Sequence, residues 1–359
     1  MPFDVVVVGA GPAGATAALC AARKGLRTLV IEATHPEAER FGATLPPEIT
    51  PILRELGLWD AFSRVPRIEA PGIVSCWGSA APVEIDFLGN PYGCGWHVDR
   101  VAFDRMLADA ARDAGAQMEF GWRLRGCECV DSSEWHLTVA GRRGPLTISC
   151  ATLVDASGRN GLPGATALDR ETEDLLVATV LHIDALASHI RDVHTYIESA
   201  PEGWWYSAPS PTGLITAMFF GDPSSYVVEG VALADQLATC PLTKKRIGAG
   251  RIVSRAVVNV PSSLAKRIAA PGFVAVGDSA ATCDPIAGRG VFKAIRNGMA
   301  AAATMGIGAE VSAVLNQYVD RIKAEFESYS RERVQLYASE GRWPGTRFWT
   351  SRNVIGAKI

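Results

Sequence analysis

The sequence is short of several things, and each shortage closes off a class of function. No hydrophobic run reaches membrane-spanning length, and the richest, GMAAAATMGIGA from Gly298, is too short and too rich in small residues. Lysine and arginine nowhere gather into a phosphate-tracking stripe and the formal net charge is -3, so nucleic acid is not an expected partner. The eight cysteines, at 20, 76, 94, 127, 129, 150, 240 and 283, contain no C-x-x-C pair. Cys127 and Cys129 have the wrong spacing for a zinc knuckle and the right one for two small buried hydrophobes on one face of a strand. Reduced thiols and no metal are expected. The first residues carry neither a basic n-region nor an A-x-A cleavage site, so no secretory leader and a cytoplasmic location are expected. Lysine is missing altogether between Gly25 and Thr243.

What remains is a chain of 359 residues, 48% hydrophobic and 20% charged. That is a globular composition, long enough for a large α/β domain with a second, substrate domain. FDVVVVG is short, β-branched and apolar throughout, which predicts a strand buried on both faces. GAGPAG follows, then the Ala-rich ATAALCAARKG, which reads as a helix closed by Gly25, then the strand LRTLVIE. This βαβ unit carries G-x-G-x-x-G at Gly9, Gly11 and Gly14, with Pro12 and Ala13 between, and an acid, Glu32, 18 residues beyond the last glycine. Gly9 serves the tight turn, Gly11 the approach of a pyrophosphate, and Gly14 the close packing of helix on strand. Glu32 is placed to accept from a ribose hydroxyl.

Further along, Pro46 and Pro47 are read as starting a helix. A second helix is expected from about Arg100, with Val101, Met106 and Leu107 inward. Strands follow, the last ending at Asp155 and Gly158. Residues 166–260 alternate apolar and polar over short stretches, which predicts an antiparallel sheet inserted into the first domain. The expected domains are thus discontinuous: 1–65, 96–165 and 262–307 form the nucleotide-binding part, 66–95 and 166–261 the substrate part, and 308–359 a C-terminal helical segment. GRWPGTRFWT, near the end, suits either a flap over the site or a packing patch for the preceding helix.

Three glycine-bearing segments, 9–14, 155–164 and 277–290, are spread along the chain. A nicotinamide dehydrogenase needs only the first, whereas one extended FAD uses all three. In GDSAATCDPIAGRG, which begins at Gly277, Asp278 can accept from the ribityl chain. Gly288 and Gly290 open a helix whose positive end can face the flavin pyrimidine.

At this point the chain resembles a known family. GAGPAG, Glu32, DASGR and GDSAATCDPIAGRG are similar to the FAD-dependent monooxygenase and halogenase superfamily with the p-hydroxybenzoate hydroxylase-type fold. FGATLPPEITPILRELGLW, GWHVDRVAFDRML and GWWYSAPSP resemble the halogenase-like flavoproteins that mature tryptophylquinone cofactors. The resemblance implies an α/β fold with a Rossmann-like FAD domain, an inserted antiparallel-sheet substrate domain and a C-terminal helix. It implies Asp284 and Pro285 at the isoalloxazine edge, and Trp204, Trp205 and Tyr206 as a wall at the substrate–flavin boundary. The plain alternatives are a helix-entry turn for the first pair and sheet core for the second set. Arg40 and Arg100 are candidates for the FAD phosphates or adenosine, or else surface ion pairs. His97, His182 and His194 are the acid–base candidates, each against the plainer role of a satisfied polar residue.

The implied activity is hydroxylation of an electron-rich aromatic ring through a flavin C4a-hydroperoxide. The ring belongs to a small molecule or to a tryptophan of a client protein or peptide. Reducing equivalents come from NAD(P)H directly or through a separate flavin reductase. Two departures bear on this. Flavin halogenases carry a catalytic lysine early in the chain, inside this sequence's lysine gap. Relatives often have Glu after the glycine of FGATLPP, where Ala43 stands here. Three alternatives stay open: a carbon–carbon double-bond reductase of the geranylgeranyl reductase type, a halogenase, and a non-enzymatic FAD protein that escorts a client.

Overall fold

The computed structural model describes residues 3–38, 40–130, 134–141, 144–162, 169–185, 192–223, 233–305 and 310–356. The first layer is a mixed sheet in the order Ala269–Ala270, Phe273–Ala275, Gly144–Asp155, Phe3–Val8, Thr28–Glu32, Gln117–Phe120. Its five central and far strands run parallel. The strands Arg123–Cys129 and Trp135–Gly141 pair antiparallel off Gly144–Asp155. Val5, Val6 and Val7 are all buried, as a strand covered on both sides requires. The helix Pro12–Arg23 lies on this sheet and carries Ala13, Ala15, Ala17, Ala18 and Leu19 inward. Small residues let it approach both the sheet and the later helix Gly290–Ala301 closely.

The second layer is a seven-stranded sheet ordered Arg251–Asn259, Val177–Asp184, Ile215–Gly221, Gly203–Pro209, Thr195–Ala200, Gly72–Cys76, Val83–Asp86. The expected antiparallel pattern holds except at one place: Thr195–Ala200 pairs parallel with Gly72–Cys76. Those two strands come from separate stretches of chain, so no hairpin forces them to oppose. A three-stranded sheet of Thr44–Leu45, Gly95–Val98 and Arg67–Ala70 sits beside these layers.

Local readings need three adjustments. The helix after Pro46 and Pro47 begins at Ile49, because the two prolines spend their fixed φ on the turn that precedes it. The helix Arg100–Asp113 is capped by Asp99, whose Oδ1 accepts from the amides of Val101 and Ala102. Its buried face is Phe103, Asp104, Leu107, Ala108 and Ala111, so Val101 and Met106 are only half inside. Cys129 is exposed at the turn end of its hairpin, paired with Trp135, while Cys127 is partly buried further along the strand.

The C-terminal part is a 29-residue helix, Glu310–Ala338, followed by Arg347–Gly356. The GRWPGTRFWT stretch folds back onto the second sheet. Trp349 donates to the Ala200 carbonyl at 2.9 Å, Trp343 to Ser199 Oγ at 3.0 Å, and Trp77 to the Leu336 carbonyl at 2.8 Å. Glu340, its side chain fully buried, accepts from the Gly78 amide, Ser199 and Arg342. Among the described residues no helix is long and apolar enough to cross a membrane.

Candidate active site

The glycine-rich turn is built by steric necessity. Gly9 has φ +110°, and a Cβ on it would lie 2.2 Å from the Ala156 carbonyl oxygen; one on Gly14 would lie 2.0 Å from the Gly9 carbonyl oxygen. Gly11 differs, because a Cβ there meets nothing within 4 Å. It points into open space at the start of the helix Pro12–Arg23, where free N–H groups favour an anion. Glu32 ties the turn to the next strand: its carboxylate accepts from the amide of Ala10 at 2.9 Å and from both the amide and the hydroxyl of Thr34.

Beside this turn lies a cavity of about 320 Å³, lined by Ala10, His35, Arg40, Arg105 and Phe120 among others. Its size and position suit the adenosine end of a dinucleotide. Arg40 lines it, with Nη2 on Thr34 Oγ1 at 2.8 Å. Arg100 is spent elsewhere. It forms a two-pronged pair with Asp104 and donates to the carbonyls of Phe41 and Gly42 at 2.6 and 2.7 Å. It therefore clamps the FGATLPP segment to the helix behind it.

The third glycine segment lies across from the first. Asp155, fully buried, accepts from the amide and hydroxyl of Ser157 and so shapes the strand end. Gly158 opens the short turn Gly158–Asn160. Arg170, mostly buried, donates to the carbonyls of Asp278 and Ser279 and holds the Gly277–Ser279 turn in place. The Asp278 carboxylate faces Arg159 at 3.2 Å, each about a third exposed. Asp284 caps the turn Pro285–Ala287 through the Ile286 amide, and Gly288 follows in the left-handed region at φ +62°. Neither Gly288 nor Gly290 has any atom within 4 Å of a Cβ position, so the start of helix Gly290–Ala301 stands open.

Between this loop and the second sheet a single apolar cluster forms from remote parts of the chain. It takes Phe41 from the early loop, Ile286 from the glycine loop, Trp204, Tyr206, Met218 and Phe220 from the sheet, and Tyr337, Phe348 and Trp349 from the C-terminal segment. The three aromatic residues of GWWYSAPSP divide across it. Successive strand residues point to opposite faces, so Trp204 and Tyr206 face the glycine loop while Trp205 enters a separate core with Phe219, Leu181 and Cys240. Trp204, 1% exposed, stacks on Phe220 at 3.9 Å.

The sequence profile of the FAD binding domain family matches residues 2–333. The chain belongs to that family. It is an FAD-dependent oxidoreductase. It is 27% identical, over 99% of its length and 98% of the relative's, to LodB of Marinomonas mediterranea, assigned as an FAD-dependent oxidoreductase. Its fold matches the flavin-dependent halogenase CmlS with a TM-score of 0.88 at 24% identity, over 98% of this chain and 68% of that one. It also matches QhpG, a peptidyl tryptophan dihydroxylase of tryptophylquinone cofactor biogenesis, with a TM-score of 0.76 at 22% identity, over 98% of this chain and 79% of QhpG.

The residues present fit FAD. The open Cα positions at Gly11, Gly288 and Gly290 and the cavity beside Ala10 would take its two ends and the pyrophosphate between them. Bound there and reduced, FAD supplies electrons to dioxygen or to a substrate. Among the described residues the ion-pair partner of Asp278 is Arg159, and both side chains are about a third exposed. Asp278→Ala should change unfolding free energy by less than about 1 kcal/mol, as loss of an exposed pair does, yet weaken FAD retention through desalting. Full retention would remove the proposed ribityl contact.

Asp284 has an environment that no sequence pattern announced. Its Oδ2 accepts from Tyr337 Oη at 2.6 Å, and Tyr337 in turn accepts from Trp204 Nε1 at 3.0 Å. Its amide donates to Tyr329 Oη at 2.6 Å. One tyrosine hydroxyl of the C-terminal helix thereby joins the Asp284 loop to the seven-stranded sheet. Burial first, and then the Asp174 carboxylate, push Asp284 up to about 6, against the pull of Tyr337, the Ile286 amide and Arg352. A carboxyl raised on folding stabilises the fold below its unfolded value of about 4, and that contribution is lost as pH rises through the folded value. Wild-type stability should fall between roughly pH 4 and 6, and Asp284→Asn should flatten the fall. Urea titrations across that range check it; parallel curves for the two proteins would refute it.

The histidines are also placed. His97 is fully buried, with Nδ1 against Thr44 Oγ1 at 2.8 Å and Nε2 against the Val193 carbonyl at 2.8 Å. His182 lies on the sheet face that meets Phe41, stacked with it at 6.4 Å and 2.9 Å from Ser254 Oγ. His194 is held between Asp192 and Glu84 at 2.7 and 3.1 Å, away from the apolar cluster. Thr44, Arg170 and Tyr337 escaped the sequence reading because each matters through a partner more than a hundred residues away, or, for Thr44, through two partners on different sheets.

Proposed function

We propose that the protein is an FAD-dependent monooxygenase that hydroxylates an electron-rich aromatic ring, with a tryptophan of a client protein or peptide as the leading substrate. The observation that carries this reading is the aromatic cluster in which Phe41, Ile286, Trp204 and Tyr206 converge beside the flavin loop. Such a surface suits a flat ring and keeps water from the reacting atoms. The lysine gap from Gly25 to Thr243 weighs against halogenation, which needs an ammonium to position the halogen donor. Lys293 does border the flavin loop, but its ammonium is held by the Ala281 carbonyl at 2.7 Å and Cys283 Sγ at 2.9 Å.

In this reading one atom of dioxygen enters the ring carbon and the other leaves as water. Two electrons come from NAD(P)H or a partner flavin reductase. Tyr206 and Phe41 hold the ring, Trp204 backs the wall, and Asp284 with Pro285 sets the loop under the flavin.

The test is direct. Reduced FAD-loaded protein is mixed with oxygen and a tryptophan-containing peptide, in chloride or bromide buffer, and products are weighed by mass spectrometry. A gain of one or two oxygens, labelled when heavy dioxygen is used, is expected. A halogen-bearing product, or saturation of a double bond in a polyprenyl probe with no oxygen gain on any aromatic probe, would overturn the reading.

A further inference from the structure

The hydrogen atoms around Tyr206 can be assigned by elimination. The Val193 carbonyl only accepts, so His97 Nε2, 2.8 Å away, must carry the hydrogen. Burial, the main cause, holds the imidazole down to about 4, so near neutral pH the other nitrogen is a bare acceptor. Nδ1 then takes its hydrogen bond from Thr44, whose hydroxyl has one proton to give. With that proton spent, the 2.5 Å contact between Thr44 Oγ1 and Tyr206 Oη is satisfied only by Tyr206 donating. Burial pushes Tyr206 up to about 12, so the phenol keeps its proton throughout. Three residues from three strands thus point every proton the same way, from the sheet towards Val193.

This has a consequence at the site, because Tyr206 is mostly but not fully buried on the sheet face that meets Phe41 and Ile286, whereas Trp204 beside it is sealed under the C-terminal helix. We propose that Tyr206 is locked as a hydrogen-bond acceptor towards the substrate and selects rings that carry an N–H or O–H donor, such as indoles and phenols. Thr44 and His97 are positioning residues that act only through Tyr206. A ring of the same shape without a donor leaves the phenol oxygen desolvated and unpaired. The inference rests on the reading of this cluster as an aromatic-ring site.

The probes are indole and benzofuran, which differ by an N–H for an oxygen. Binding is read from perturbation of the flavin absorbance in the FAD-loaded protein. Wild type should hold indole roughly five- to tenfold more tightly, the worth of one hydrogen bond near 1 kcal/mol. Tyr206→Phe should erase the preference. Thr44→Val, which frees the Tyr206 proton to turn towards the bound ring, should erase it too; a merely structural threonine would weaken both rings alike. Equal binding by wild type, no binding of either ring, or a preference that survives Thr44→Val each overturns the proposal. An independent check needs no probe: nitrogen-15 spectra of histidine-labelled protein at neutral pH should show His97 as the neutral Nε2–H tautomer. A cationic ring or an Nδ1–H form would also overturn it. Failure of oxygen transfer in the peptide assay, with the indole preference intact, would instead unseat the monooxygenase reading alone.

Discussion

Gly11→Val should yield a folded protein that has lost its FAD, while Gly14→Ala, a smaller change three residues on, should yield a poorly folded one. The contrast follows from what surrounds each Cα. Gly11 has φ -68° and ψ -179°, a backbone geometry open to any residue, and nothing within 4 Å of its Cβ position. A valine there costs the apoprotein less than about 1 kcal/mol, as at a surface position. Its methyl groups, however, stand where the pyrophosphate must come against the backbone amides. A loss of at least about 100-fold in FAD affinity, close to 3 kcal/mol, is expected. Gly14 is closed: its Cβ would fall 2.0 Å from the Gly9 carbonyl oxygen and 2.8 Å from Ala156 Cβ. Backbone cannot yield as a side-chain tip can, so helix and strand must separate, at about 1–3 kcal/mol or more. Chemical denaturation of the apoproteins and flavin fluorescence on reloading distinguish the two. FAD retention by Gly11→Val would mean that the phosphates run elsewhere.

Trp204→Ala and Trp205→Ala should destabilise the fold by similar amounts, about 3–5 kcal/mol each, as large aromatic truncations in a core do. Both indoles are 1% exposed. Their other effects should differ entirely. Trp204 stacks on Phe220, meets Trp77 edge-on at 6.3 Å and donates to Tyr337, so its loss undercuts the attachment of the C-terminal segment and, through Tyr337, the hydrogen bond to Asp284. Limited proteolysis should then cut faster near residues 337–352, and the flavin spectrum of loaded protein should shift. Trp205 packs on Phe219 at 5.2 Å on the far side of the sheet and has no link to the flavin loop among its described contacts. Its truncation should leave both readouts where they were. Equal proteolysis and equal spectra for the two variants would show that the sheet does not separate them as the strand pairing implies.

That pair also marks where the sequence stopped being sufficient. The cofactor was legible in the chain because its contacts are local. GAGPAG and the GDSAATCDPIAGRG stretch are shaped by backbone geometry set within about a dozen residues, and the spacing of their glycines states that geometry outright. The βαβ unit, the helix capped by Asp99 and the alternating strands of the second sheet were readable for the same reason. Trp204, Trp205 and Tyr206 could be seen as a stiff aromatic run, but not divided: a strand's alternation says that neighbours part company, and only the layer packed on each face says which neighbour meets the Ile286 loop.

By itself, then, the sequence determined an FAD-binding α/β protein, since phosphate cradles and buried strands are written in short-range pattern. The tertiary structure alone decided the substrate side. It brought Thr44 and Tyr206, 162 residues apart, within a hydrogen bond of each other and set Tyr337 on Asp284. It also set Arg100 on Asp104 and on the carbonyls of Phe41 and Gly42, where it clamps a loop. Hydrogen bonds between distant side chains depend on how layers dock, and docking is a sum over the whole core that no local run of residues encodes.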